Sequence, residues 1–216
     1  MFMNDNRASR WLIWTGPLFA VLFLILSFAM GNAPSENASG AKLITYYHDH
    51  RTGLLASVFL SPLAAVLLVL FAAQVRARAR NAAQNLTGPT VLVSGAVLWA
   101  AGLLLGSTIG LAQLDAADKK QAEASVALNF LSSASWIPFI AGIAVFLVGA
   151  GMTGLGSRIT PRWLGWAALV VGIVSLAGPG GFIGFFGGPL WMLIAGIMLA
   201  VGSGNRSAAH PAAPAG

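Results

Sequence analysis

Gly53–Val75 reads GLLASVFLSPLAAVLLVLFAAQV and runs straight into Arg76, Arg78 and Arg80. The apolar stretch contains no Lys, Arg, Asp, Glu or His. A helix rises about 1.5 Å per residue, so about 20 such residues cross the roughly 30 Å hydrocarbon core of a bilayer. A long uncharged run ending on a cluster of arginines is the pattern of a transmembrane helix stopped at a membrane face.

Five more runs share this pattern: Trp11–Met30, Pro89–Ala112, Phe130–Thr153, Trp163–Ala177 and Phe182–Val201. None has an ionisable residue in its interior. The fifth is short and ends at Gly178-Pro179-Gly180-Gly181, a turn that folds it back on the sixth as a helical hairpin. The predicted fold is therefore all-α: a polytopic membrane bundle of six transmembrane helices, residues 1–203 forming one domain. Residues 204–216, rich in Ala, Pro, Gly and Ser, are expected to be a disordered cytoplasmic tail.

Composition supports this. Of 216 residues 57% are hydrophobic and 8% charged, against about 25% charged in soluble domains. The net charge of +6 would suggest nucleic acid in a soluble protein. Here the basic residues sit in short loops, without the basic stripe interleaved with aromatics that nucleic acid needs, and no nucleic-acid partner is expected. There is no cysteine, which excludes disulfides, thiolate metal sites and cysteine nucleophiles.

Charge placement predicts orientation. With the N-terminus inside, Arg7, Arg10, Arg76, Arg78, Arg80, Arg158, Arg162 and Arg206 are cytoplasmic. Lys42, Arg51, Lys119 and Lys120 are outside, with Glu36, Asp49, Asp115, Asp118 and Glu123. The positive-inside rule then places both termini in the cytoplasm. A competing reading makes Trp11–Met30 a cleaved signal peptide; its length, above the 7–15 residues of a signal core, favours a retained span.

Two outer loops are expected to carry amphipathic helices on the membrane surface. One starts at Ser35 as N-cap, with Leu43, Ile44 and Tyr47 at helical spacing. The other starts at Asp115 as N-cap, with Asp118 following and Lys119–Ala127 as its body.

Three groups of residues are candidates for function. Tyr46, Tyr47, Asp49, His50 and Arg51 form an outer polar patch with His48. It reads either as a metal or proton site or as an interfacial anchor of tyrosines and charges. His48 and His50, two residues apart, diverge on a helix, which weakens a metal site. Gly102, Gly106 and Gly110, with Gly180, Gly184 and Gly188, repeat every fourth residue and predict close helix contact, within one chain or between copies. Trp99, Ser107, Thr108, Asn129, Ser132 and Trp191 are candidates to line a ligand cavity, because a buried indole N–H needs an acceptor. Ser94, Gln113, Ser133 and Ser135 are further polar candidates for that wall.

Absences narrow the chemistry. No span carries the carboxylate or histidine of an ion-coupled pump or the axial ligand of a haem carrier. No phosphate-binding loop, nucleophile elbow or His-Glu-x-x-His motif occurs. No metal or cofactor is expected, and an enzyme is the least favoured reading, confined to the outer His/Asp patch. Two readings stand ahead of it. One is passive binding or permeation of a small or lipophilic molecule within the bundle. The other is a structural or accessory subunit packed against a membrane partner or a second copy.

The segments Tyr46-Tyr47-x-Asp49-His50-Arg51, Thr160-Pro161-Arg162-Trp163-Leu164-Gly165-Trp166 and Pro189-Leu190-Trp191 carry a resemblance. Together with the Gly-Pro turn, they make the chain similar to a group of actinobacterial multi-pass membrane proteins that share a domain of unknown function. His48 departs from the group's pattern. The resemblance implies the multi-pass topology and a plasma-membrane location; it implies no activity.

Overall fold

The computed structural model describes residues 11–29, 34–80, 82, 86–177 and 180–208, with side chains through Val201 except that of Ala29. All regular structure among these residues is helical. A 3-10 turn, Leu12–Trp14, leads into α1 (Thr15–Ala29), and α2 (Gly40–Asp49) is followed by α3 (Arg51–Arg80). Then come α4 (Thr87–Asp118), α5 (Ala122–Ala134), α6 (Trp136–Ser157), α7 (Arg162–Val174) and α8 (Gly181–Ala208). With α5 and α6 taken as one broken helix, the described residues form seven.

Four helical paths are long and apolar enough to cross a membrane: Arg51–Arg80, Thr87–Asp118, the broken Ala122–Ser157 and Gly181–Val201. Leu12–Phe28 and Arg162–Val174 are apolar but shorter. The chain is a membrane-embedded helix bundle. Its outer surface is what hydrocarbon requires, with Phe28, Phe59, Ile137 and Phe182 all more than two-thirds exposed.

Several boundaries differ from the sequence reading. The first outer helix is capped by Ser39, whose side chain accepts from the Lys42 N–H, and not by Ser35. Ser35 instead opens a turn closed by the Ala38 N–H. The second outer helix does not start at Asp115. That residue and Asp118 belong to the last turns of α4, because Leu114, Ala116 and Ala117 are buried and hold the helix together beyond the apolar run. Lys120, in the left-handed region at φ 53°, reverses the chain before α5. The run Phe130–Thr153 is interrupted at Ser135, which closes α5 and opens α6. The last helix, α8, continues to Ala208. Residues 209–216, including His210, lie outside the described residues, as do Met30, Gly178 and Pro179.

The apolar helices form a ring in which neighbours run antiparallel. In it α1 lies against α3 and α8, α3 against α4, α4 against α6, α6 against α7, and α7 against α8. Trp99, Phe19, Phe71, Phe146 and Leu68 fill its centre with no exposure. At one end α2 and α5 cover the ring, where Leu43, Tyr47, Leu54, Leu114 and Ala117 make a small second core. Arg76, Arg78, Arg80, Arg158 and Arg162 lie at the other end. There Arg78 donates to the Leu199 carbonyl of α8 at 3.0 Å.

The tightest pair is α4 with α6. Gly88, Gly95 and Gly102 recur every seventh residue on α4, as do Gly142 and Gly149 on α6. A Cβ at Gly88 would stand 2.8 Å from Thr153 N, and one at Gly102 2.9 Å from Phe139 Cα. At Gly95, Gly149 and Gly142 it would collide with the backbones of Phe146, Leu92 and Trp99 respectively. Each glycine admits the opposite backbone, and the seven-residue period keeps this face turned to its partner in a left-handed crossing. The α7 helix docks on another side of α6 in the same way, Gly165 against Gly151 and Gly172 against Ala144.

This seam predicts which glycines are intolerant. Gly95→Leu or Gly149→Leu forces the backbones apart and should destabilise the purified protein by at least the ~1–3 kcal/mol typical of overpacking. Gly106→Ala, where a Cβ meets nothing within 4 Å, should be neutral or stabilising by up to about 1 kcal/mol from helix propensity. Thermal unfolding in mild detergent reads both; equal losses at Gly95 and Gly106 would contradict the seam.

Candidate functional site

The α4–α6 register sets Gly102 against Phe139, so the next turn of α4 faces the junction at Ser135. There the helix opposite is interrupted, and Gly106 meets nothing within 4 Å. A cavity of about 270 Å³ opens at this point, inside the ring and beneath the α2/α5 cover.

Its walls differ in chemistry. One is aromatic: Phe23 from α1, Trp136 and Phe139 from α6, and Phe185 from α8. Trp136 stacks on Phe139 and on Phe185, with centroids 5.5 and 5.4 Å apart. The other wall carries hydroxyls: Ser57 and Ser61 of α3, Ser107 of α4, and Ser132 and Ser135 at the helix break. No charged side chain lines it.

One hydroxyl of that wall, Ser107, answers to Pro62. A proline inside a helix has no N–H for the carbonyl four residues back, which here is that of Val58. Ser107 of the neighbouring helix supplies the missing donor, its Oγ–H reaching the Val58 carbonyl at 2.7 Å. Ser61 and Ser135 donate to the carbonyls of Ser57 and Ser132. Ser57 differs: it is 8% exposed and its Oγ has no hydrogen-bond partner.

On the side away from α2 and α5 the cavity is closed. Trp99 is fully buried against Phe19, Phe23, Phe139 and Phe146, at centroid distances of 5.0 to 6.2 Å. This differs from the sequence expectation for Trp99. Its Nε1 has no oxygen acceptor, and what surrounds it is rings. Trp191 is also buried away from the cavity, its Nε1–H donating to the Leu164 carbonyl at 3.1 Å to tie α8 to α7.

Of the remaining candidates, Ser107 and Ser132 line the cavity, as do Gln113 and Ser135. Thr108 turns away and bonds its own helix at the Leu104 carbonyl. Asn129 donates to the Ser35 carbonyl at 3.2 Å, fastening α5 to the turn before α2. The Gly102-Gly106-Gly110 stripe is divided: Gly102 closes the seam, Gly106 faces open space, and Gly110 makes one side-chain contact with Val58. Gly180 and Gly184 pack against Val174 and Ser175 of the preceding segment, and Gly188 sits under the Trp99 ring. Sequence reasoning missed Ser57, Ser61 and the ring wall. Pro62 was the available signal, since a proline in a span obliges some nearby group to donate to the freed carbonyl.

The outer polar patch is dispersed. His48 and Asp49 are exposed, with Nδ1 of the one 3.8 Å from Oδ1 of the other. His50 stacks on the Tyr46 ring at 4.4 Å, and its Nδ1 lies 3.0 Å from the Tyr46 carbonyl. Arg51 pairs with Asp118, fastening the start of α3 to the end of α4. Among the described residues no group of three or more His, Asp or Glu could hold a metal ion. Tyr47 is buried in the cover; that burial, and then its neighbour Tyr46, push its phenol up to about 12.

Two outcomes are expected. Ser107→Ala should cost about 0.6–2 kcal/mol, the range for hydrogen bonds between membrane helices. In a Pro62→Ala background, which restores the helix's own donor to Val58, that cost should shrink toward zero in a double-mutant cycle. Tyr46 and Tyr47 are the two tyrosines of the chain, so absorbance at alkaline pH reads them directly. The raised Tyr47 phenol keeps its proton in the folded state beyond the ordinary value near 10. The stability this contributes should be intact below pH 10 and lost as pH rises through about 12.

No family model, curated protein or solved structure matches the chain, and what it does is argued from this geometry.

Proposed function

We propose that the chain is a six-span plasma-membrane protein that holds a small uncharged molecule in the cavity beneath its α2/α5 cover. The carrying observation is a void with an aromatic wall, a hydroxyl-bearing wall and no charged lining residue. The arginines gathered at one end and the acids at the other support placing both termini on the cytoplasmic side. Membership in the actinobacterial multi-pass group belongs to the same proposal.

The packed layer of Trp99, Phe19 and Phe146 favours binding over permeation. A path for a solute would have to pass through side chains with no exposure. The size supports a small occupant: an apolar cavity of about 150 Å³ takes benzene, so about 270 Å³ takes two fused rings.

Naphthalene is therefore a sufficient first probe. Added to the full chain in lipid nanodiscs, it should raise the unfolding temperature by a few degrees through mass action. Gly106→Leu, which fills the void, should abolish the shift. Gly156→Leu, a second glycine with open space around it but away from the cavity, should leave it intact. A shift that survives Gly106→Leu would refute the cavity as the binding site.

A further inference from the structure

We infer that the cavity's occupant is an uncharged ring bearing a hydrogen-bond donor, an O–H or N–H, which the Gln113 side chain accepts; the inference rests on the binding reading above. Three observations carry it. The first is how the Gln113 amide is set. Gln113 lines the cavity and is 5% exposed. Its Nε2–H donates to the Leu128 carbonyl at 3.3 Å. A carbonyl only accepts, so the amide nitrogen belongs on that side and the orientation of the group is fixed. Oε1 is left without a hydrogen-bond partner among the described residues. It is not sealed off either. The buried side-chain atoms that lack a partner are Ser57 Oγ, Arg76 Nε, Trp99 Nε1 and Thr160 Oγ1, and Gln113 Oε1 is not one of them. An amide oxygen accepts and cannot donate, so what completes it is a donor.

The second is Ser132, which also lines the cavity. It stands four residues after Leu128 in α5, so its backbone N–H faces the carbonyl that holds Gln113. The Gln113 amide and Ser132 therefore meet at one helical turn. The Ser132 hydroxyl has no partner among the described residues, whereas those of Ser61, Ser107 and Ser135 each donate to a backbone carbonyl. This turn is the place in the lining where polar groups are unspent and not sealed. The third is the ring wall. Trp136, four residues beyond Ser132, lies near-parallel to Phe139 and Phe185, at 28° and 29°. Another flat ring extends such a stack at the offset geometry aromatic pairs prefer. No charged side chain lines the space, so an ionised occupant would enter without a counter-charge.

The test compares 2-naphthol, neutral at pH 7, with naphthalene and with 2-methoxynaphthalene, which keeps the oxygen but has no donor. Binding to the full chain in nanodiscs is compared at equal mole fraction in the lipid. Naphthol should bind about fivefold more tightly than naphthalene, the net value of one hydrogen bond, and the methoxy compound should gain nothing. Gln113→Met, unbranched and of similar length, should erase the naphthol advantage while leaving naphthalene affinity unchanged. Asn129→Ala, which removes the bond from α5 to the Ser35 carbonyl but leaves Gln113 in place, should keep the advantage. Equal binding of naphthol and naphthalene, an equal gain for the methoxy compound, or an advantage that survives Gln113→Met overturns the donor proposal and leaves the cavity reading standing. Equal losses in the two variants, or a loss in Gln113→Met shared by all three probes, assign Gln113 to holding the cover and overturn it as well. Failure of all three probes to bind the unaltered chain sinks the cavity reading itself.

Discussion

Between Gly88 and Gly102 the backbones of α4 and α6 touch, and no side chain stands between them. In water such a contact would be helped by the burial of apolar area. In lipid the tails are as apolar as leucine, so close van der Waals approach has to supply most of the attraction. Glycine at every seventh position lets the contact persist over four turns. The remaining helices take their places from this pair: α3 lies along α4, α7 docks on α6 through Gly151 and Gly165, and α8 and α1 complete the ring.

The cavity follows from where the seam stops. Gly106, one turn beyond the last seam glycine, has nothing within 4 Å of it. Before the interruption at Ser135, α5 packs with α2 in a cover, and the space beside Gly106 is lined by whatever the neighbouring helices present. On α3 that is a serine-rich face around Pro62; on α1, α6 and α8 it is aromatic. In that wall Ser107 repairs the defect that Pro62 leaves in its neighbour, while Ser61 and Ser135 bond carbonyls of their own segments.

Much of this was legible in the sequence. Runs without charge, arginines at one set of ends and acids at the other identify the apolar helices, because the cost of charge in hydrocarbon leaves little freedom. Leu43 and Tyr47 at helical spacing announced the helix Gly40–Asp49, on which both are buried. What was not legible was which glycines mattered. Gly102, Gly106 and Gly110 look like a packing stripe, yet the working set is Gly88, Gly95 and Gly102. A spacing of four and a spacing of seven both place residues on one helix face, and only the partner's path decides between them. The ring cage around Trp99 was not legible either, because the phenylalanines that form it come from two other helices, α1 and α6. The caps at Ser35 and Asp115 were misplaced because local capping chemistry was weighed without the burial that extends α4 to Asp118 and delays α2 to Gly40.

A density map of the full chain in lipid nanodiscs is the most direct test, because the account turns on one place. It predicts α4 and α6 in backbone contact from Gly88 to Gly102, and beyond Gly102 a compact non-protein density between Ser57 and Trp136, bounded by Gly106. A map in which α6 runs unbroken through Ser135 and covers Gly106, with no space between α3 and the aromatic wall, would contradict it.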